Sequence, residues 1–473
     1  MANILPQIEH IVVVMLENRS LDNMCGWLYA DAGAQPKLFL PAGSPAAYNG
    51  LRPELWNPSN SSFFTGAQPA QVPVARGTTA STVPNPDPEE TFSNVTYQLF
   101  GPEAPSTSPR WPNLGFVVNY ENATAGTATQ IMQGYTPQQV PVISALARNF
   151  AISDAWYSSV PSQTWPNRAF VHAGTSNGNV DNGDPPDPLD WNVATIFNVL
   201  ESANLSWRVY CDTVLVPSLT RTMFPTLWSP LLEIHFRGFD EFKEDCANNT
   251  LPRYSFIEPN FLSSPNDEHP PHDVMAGEQF LFDIWQAVSN SPGWNNTLLL
   301  ITYDEHGGCY DHVMPPWGAT APDGASSPGN QGFPFNRFGV RVPMIAVSPY
   351  IQPGTVFRSD GAVPYDHTSV LATLRDWLAI PAAKMLPSKR IAAAPNLAQV
   401  LTLAAPGPKP VIALPARAAV ATSLELPLNH LQMSIISGSA RRFDLNPSAM
   451  LAQIKTRQDA VAFFKPRSAR AHA

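Results

Sequence analysis

Apolar positions along this chain fall into two patterns. The run Ile11-Val12-Val13-Val14-Met15 is apolar at every position, mostly β-branched, and ends abruptly at Leu16-Glu17-Asn18-Arg19-Ser20. A strand apolar on both faces is covered on both faces, which predicts a central strand of a parallel sheet. The pattern returns at Thr297 to Tyr303 (TLLLITY), closed by Asp304-Glu305-His306-Gly307-Gly308, and at Val342 to Val347 (VPMIAV), closed by Ser348-Pro349-Tyr350. Helical spacing marks Val140 to Phe150, Ala194 to Ser202, Gly277 to Ser289 and Ser369 to Trp377. Strands alternating with helices predict an α/β fold, with a central, mostly parallel sheet and helices on both faces. Between Lys37 and Asn113 the chain is dense in Pro, Gly, Ser and Asn without a sustained period, which reads as a loop-rich excursion able to cap a site. From about residue 403 it turns Ala/Pro/Leu-rich (AAPGPKPVIALP) and then runs to the basic end Lys465 to His472. The expected organisation is one main domain over 1–402, carrying the excursion at about 37–113, then a linker and short helical tail over 403–473.

Composition narrows the function classes. Charged residues are 14 % of the chain, against ~25 % in ordinary globular proteins, while prolines number 50. Such a chain is rich in ordered loops and poor in salt-bridged helices. The formal net charge is −10 and no basic run occurs, which argues against nucleic acid as a partner. No stretch approaches the ~18 apolar residues of a membrane span, so stable membrane insertion is not expected. No basic segment followed by a separate apolar segment precedes Ile11, so the sequence carries no signal-peptide pattern and alone predicts a cytoplasmic chain. The four cysteines, Cys25, Cys211, Cys246 and Cys309, form no CxxC pair, which speaks against a zinc-thiolate site. Cys211 and Cys246 read equally as a disulfide or as free thiols. Nothing in the sequence specifies an oligomeric state.

In open α/β sheets, ligands bind beyond the carboxyl ends of the strands. Two of the best strands here end in pairs of metal-binding type, Glu17-Asn18 and Asp304-Glu305. Either pair alone reads as a cap after a strand. Both together, brought to one sheet edge by parallel neighbouring strands, make an oxygen site suited to one divalent cation such as Ca²⁺, Mg²⁺ or Mn²⁺. A hydroxyl stands just ahead of an apolar helical stretch in Ser162-Gln163-Thr164-Trp165-Pro166-Asn167-Arg168. Backbone donors and the helix dipole at such a terminus favour an incoming phosphate, although a plain N-cap looks the same in sequence. Ser158, Ser159 and Ser162 compete with Thr164 for a nucleophilic role. Five of the ten histidines, His269, His272, His306, His312 and His367, fall in three short acidic loops. Imidazole there can bind phosphate oxygens or protonate a leaving group, which predicts turnover favoured at mildly acidic pH.

These residues carry a resemblance. Leu16-Glu17-Asn18-Arg19-Ser20-Leu21-Asp22 is similar to the ENRSFD-type motif of the bacterial phospholipase C/acid phosphatase family, a branch of the alkaline phosphatase superfamily. Thr164-Trp165-Pro166-Asn167-Arg168 resembles its nucleophile motif, Asn266 to Gly277 its His-Pro-Pro segment, Thr302 to His312 its TYDEHGG-x-YDH motif, and Tyr365 to Ser369 its YDHTS segment. The motifs keep the family order from residue 8 to about 380. The resemblance implies an alkaline-phosphatase-like catalytic domain that hydrolyses small phosphoesters or phospholipid headgroups. It implies one metal ion held by Glu17, Asn18, Asp304 and Glu305, with Thr164 as nucleophile forming a phospho-threonine. His269 matches a substrate-binding or leaving-group histidine, and Asn167, Arg168, Asp212, His272, His306, His312 and His367 are candidate substrate contacts. Family members often have a His near Asn113 to Asn122, and this stretch has none. Members are also often exported. Two further readings remain at this stage: a sulfuryl ester hydrolase on the same scaffold, disfavoured because Thr164 cannot become formylglycine, and a catalytically inactive metal- or ligand-binding homologue.

Overall fold

The computed structural model describes residues 4–124, 127–183, 186–212, 216–414 and 423–471; His472, at the expected basic end, lies outside the described residues. Its centre is a sheet of nine strands. In chain order these are β1 (His10–Leu16), β2 (Leu38–Leu40), β3 (Ala151–Ser153), β4 (Trp207–Cys211), β5 (Phe236–Gly238), β6 (Tyr254–Glu258), β7 (Thr297–Tyr303), β8 (Met344–Val347) and β9 (Thr355–Phe357). They lie side by side as β5-β4-β6-β1-β7-β8-β3-β9-β2. Every neighbouring pair is parallel except those made by β8, which runs antiparallel to both β7 and β3. The fold is therefore α/β with a mostly parallel sheet, and helices pack around it.

The continuous apolar runs are central strands for the expected reason. β7 is buried at all seven positions, and β1 is buried from Ile11 to Leu16. Their register pairs Leu16 with Tyr303, so Glu17 and Asp304 leave the sheet side by side at one edge. The run from Val342 behaves differently. It is a strand only over Met344–Val347 and points the other way, so its closing Ser348-Pro349-Tyr350 lies at the opposite edge and Arg341, just before it, reaches the site edge instead. Apolar content is the same for parallel and antiparallel central strands, so direction was not legible.

The excursion over 37–113 is less irregular than its composition predicts. Leu38–Leu40 is the outermost strand of the main sheet, Trp56–Pro58 pairs with Gln71–Pro73, and Phe92–Phe100 is a nine-residue helix with Val95, Leu99 and Phe100 buried. Asn, Ser, Thr and β-branched residues between those anchors hide the helical period. The tail past residue 423 also contributes to the core. Helix His430–Arg442 buries Leu431, Ile435 and Ile436 in the same apolar cluster as β1 and β7. Trp165 Nε1 donates to Ser434 Oγ at 3.0 Å, and Gln432 Nε2 donates to the Phe261 carbonyl at 2.8 Å. All four cysteines are buried free thiols. No helix among the described residues is long and apolar enough to cross a membrane.

Candidate active site

Three chain segments meet beyond the carboxyl ends of β1 and β7. After β1, Asn18 takes a left-handed backbone (φ 55°), a conformation that Asn tolerates better than most residues. Its N–H donates to Asp304 Oδ1 at 2.9 Å, which ties the two strand ends together. After β7, the same Asp304 Oδ1 accepts the Glu305 N–H at 2.8 Å, and Glu305 Oε2 accepts the Gly307 N–H at 2.6 Å. Gly307 and Gly308 both have positive φ, and a Cβ on Gly307 would lie 2.1 Å from the Asn18 carbonyl oxygen. Only glycine lets these two loops approach so closely.

The third segment is helix Thr164–Ala173, whose N-terminus faces this pair of loops. Thr164 Oγ1 donates toward Glu17 Oε2 at 3.3 Å and Asn18 Oδ1 at 3.4 Å. One turn on, Arg168 is fully buried and forms a two-pronged contact to Glu17 Oε1 through Nε and Nη2. Asn167 does not face this group. Its side chain ties the loop ahead of the helix, receiving the Val160 N–H and donating to the carbonyls of Val160, Ser162 and Gln163. The competing hydroxyls point elsewhere: Ser159 Oγ donates to Asp366 Oδ2 and Ser162 Oγ to Asp181 Oδ1.

The carboxylates of the cluster are buried beside one another. Burial pushes Glu17 well above the usual carboxylate range; Arg168 opposes the shift and Asp304 adds to it. Glu305 is raised for the same reason, then by Asp304 and Glu90. Asp304 Oδ2 and Glu305 Oε1 are buried with no hydrogen-bond partner. Unpaired buried carboxylate oxygens are costly, and facing like charges makes them more so. Oxygen donors of this kind fit a hard divalent ion.

Among the described residues, one group has metal-ligand spacing, and it is a different one: the ligand atoms of Asp22, Asp311 and His312 lie within 4.8 Å of one another. Arg341 already supplies the positive charge there. It is fully buried, with Nε 3.0 Å from Asp311 Oδ1 and Nη2 3.1 Å from Asp22 Oδ1. Asp22 Oδ2 also accepts from His312 Nδ1 at 2.6 Å. Replacing Arg341 by Met should leave two buried carboxylates unpaired and lower folding stability by about 3–5 kcal/mol. Urea denaturation measures this; a loss below about 1 kcal/mol would mean that another cation balances the pair.

The structure gives each of the five histidines a partner or a buried setting. His367 Nε2 pairs with the Asp304 carbonyl at 2.5 Å, and Nδ1 accepts from Trp156 Nε1 at 3.4 Å, so this ring fixes the Asp304 backbone instead of reaching outward. His312 is used on both sides, by Asp22 and by Asn49 Oδ1 at 3.0 Å. His306 Nε2 pairs with Gln98 Oε1 at 2.8 Å and anchors the excursion. His272 Nδ1 is 2.6 Å from Asp267 Oδ1, while its Nε2 is buried and unpaired. His269 Nδ1 faces the Pro270 carbonyl at 2.7 Å. Burial lowers both His269 and His306 to about 3, so these rings are neutral at mildly acidic pH and do not supply a protonated imidazole in the free protein. Asp212, after β4, accepts from Asn266 Nδ2 at 2.5 Å, and burial raises it to about 6.

Sequence reading passed over Glu90 and Gln163. Gln163 Nε2 lies 3.4 Å from Glu90 Oε1, and its Oε1 accepts the Asn182 N–H at 3.1 Å. The available signal was the acidic pair Glu89-Glu90 closing a Pro-rich loop.

Comparison with known proteins gives the family. The model of the phosphoesterase family matches residues 8–381. Non-specific phospholipase C4 of Arabidopsis thaliana is 35 % identical over 391 residues, covering 78 % of this chain and 67 % of the relative. Phospholipase C B of Mycobacterium tuberculosis is 28 % identical over 442 residues, covering 85 % and 79 %. A solved protein of the alkaline phosphatase superfamily from Vibrio parahaemolyticus overlaps 54 % of this chain and 64 % of its own, at 10 % identity and a TM-score of 0.32. The match across most of the chain, with Glu17, Thr164 and Asp304 brought together inside it, shows that the chain belongs to the phosphoesterase family and is a phosphoric-ester hydrolase.

Proposed function

We propose that this enzyme hydrolyses phosphoric esters, phospholipid headgroup esters among them, through a covalent phospho-threonine on Thr164 and with one divalent cation. The observation that carries the reading is the Thr164 hydroxyl at a helix N-terminus, 3.3 Å from Glu17 Oε2 and 3.4 Å from Asn18 Oδ1. Glu17, Asn18, Asp304 and Glu305 would hold the cation. When bound it neutralises the carboxylates and lowers the pKa of the nucleophilic hydroxyl.

The chain's own groups supply the rest. Thr164 loses its hydroxyl proton as the Oγ1–P bond forms, and the P–O bond to the leaving alcohol breaks with that alkoxide taking a proton. Water then attacks phosphorus, the P–Oγ1 bond breaks, and phosphate or the phosphorylated headgroup leaves while Thr164 regains its proton. The positive end of helix Thr164–Ala173 faces the developing negative charge; within its first turn the Trp165 N–H is taken by Asn182 Oδ1 at 2.8 Å, and Pro166 carries none. Arg168 fixes the Glu17 carboxylate beside Thr164. His269 binds the substrate phosphate: the incoming anion opposes the burial that keeps the ring neutral, so protonation accompanies binding. Phospholipid is included because the named relatives are phospholipases C.

A panel of p-nitrophenyl phosphate, bis-p-nitrophenyl phosphate, phosphatidylcholine vesicles and p-nitrophenyl sulfate tests the reading. Turnover of phosphoric esters, with phosphocholine released from the vesicles, is the expected result. A sulfate ester turned over faster than every phosphoric ester would overturn it.

A further inference from the structure

Glu90 sits where the excursion touches both other parts of the site. Its loop is docked on the Asp304–Gly308 loop: Gln98 Nε2 donates to the Glu89 carbonyl at 2.7 Å while Gln98 Oε1 pairs with His306 Nε2. A Cβ on Gly308 would lie 2.7 Å from Pro88 Cβ and 2.8 Å from the Glu89 carbonyl oxygen, so the two loops are in backbone contact. On its other side Glu90 Oε1 meets Gln163, the residue before Thr164. The Glu90 side chain is thus held between the nucleophile's helix and the Asp304-Glu305 turn. It is 2 % exposed, and Oε2 is buried without a hydrogen-bond partner.

Three buried carboxylate oxygens on these adjoining loops stand unpaired: Asp304 Oδ2, Glu305 Oε1 and Glu90 Oε2. Arg168, the guanidinium beside Glu17, holds that carboxylate through Nε and Nη2, while its Nη1 is buried without a partner. With all four carboxylates ionised, that one positive charge leaves three negative charges facing each other. Like charges in a buried site need a cation or a proton.

We propose that Glu90 is a further oxygen ligand of the divalent cation, supplied by the covering excursion and completing the set Glu17, Asn18, Asp304 and Glu305. This rests on the cation reading given above. A carboxylate donated by the excursion makes its closure on the Asp304–Gly308 loop part of cation binding. Removing the Glu90 charge should then weaken the ion without harming the apo fold, because in the apo protein that charge is uncompensated.

The test is thermal melting and isothermal titration calorimetry of the full chain, dialysed against EDTA and then titrated with CaCl₂, MgCl₂ and MnCl₂ separately. The ion giving the largest stabilisation of the wild type is then used on Glu90→Gln, Asp304→Asn and Glu89→Gln. Glu90→Gln should melt in EDTA at or above the wild-type temperature. It should bind the ion at least about 10-fold more weakly, comparable to losses seen on disturbing metal-ligand shells, and gain correspondingly less in melting temperature. Glu89→Gln should match the wild type and Asp304→Asn should not bind. Wild-type affinity and melting shift in Glu90→Gln overturn the assignment while leaving the cation site intact. A wild type that binds none of the three ions overturns the assignment and the cation reading together. Should Glu90→Gln not fold, Glu90→Asp, which keeps the charge and withdraws it by one methylene, should still weaken the ion; wild-type affinity there overturns the proposal too.

Discussion

Replacing Thr164 by Val should abolish turnover, lowering kcat by at least about 10³-fold, since the variant keeps the side chain's shape and deletes the only atom able to form the covalent bond. The fold should survive. Thr164 Oγ1 makes only long contacts, at 3.3 and 3.4 Å, so few stabilising interactions are lost. Thr164→Ser should keep substantial activity because the reacting oxygen remains at the same helix N-terminus. Geometry also argues against the neighbours: Ser162 is committed to Asp181 at 2.7 Å and Ser159 to Asp366 at 2.9 Å. Quenching a slow phosphoester reaction and mapping peptides by mass should place phosphate on the peptide that contains Thr164, at Thr164 itself. Phosphate on Ser162, or a Thr164→Val enzyme with near-normal turnover, would reject the covalent route and require direct attack by water.

Removing the charge of Asp304 should separate the chain from its cation. Asp304→Asn is the informative variant, because Oδ1 already accepts the N–H groups of Asn18 and Glu305 at 2.9 and 2.8 Å and an amide oxygen can keep both bonds. Alanine would leave those two buried donors unpaired and mix a folding defect into the result. Asp304→Asn should contain no bound divalent ion by elemental analysis and lose at least about 100-fold in turnover. Chelation of the wild type should give the same loss, and adding the ion back should restore it. Full activity in a demonstrably metal-free preparation would remove the cation from the mechanism.

Much of the sheet was legible because burial on both faces leaves a plain signature. β1 and β7 are largely apolar runs, followed at once by Glu17-Asn18 and by Asp304-Glu305, polar groups that do not belong in a core. Helices at Pro141–Asn149, Val274–Asn290 and Thr368–Trp377 were visible through regular spacing of large apolar residues. The helix Phe92–Phe100 was not, because its buried positions are separated by Ser, Asn and Thr, which signal loops when read locally. The partners of the histidines were not legible, for a related reason. Their clustering in acidic loops was real, but a sequence does not say on which side of a loop a ring lies. The structure gives His367 to the Asp304 carbonyl, His306 to Gln98, and His312 to Asp22 and Asn49.

The sequence by itself determined which residue types stand at the ends of the two central strands, and that a hydroxyl opens the helix carrying Arg168. Local rules suffice for this, since strand burial, turn chemistry and helix starts depend on near neighbours along the chain. Only the tertiary structure decided which of these groups share one space. The parallel register of β1 and β7 sets Glu17 beside Asp304, and the reversed direction of β8 gives Arg341 to Asp22 and Asp311 in place of a metal. The docking of the excursion through Gln98 and Gly308 brings Glu90 against Gln163, the neighbour of Thr164. Electrostatic energy depends on distance and burial, and neither is fixed until segments far apart in the chain have packed.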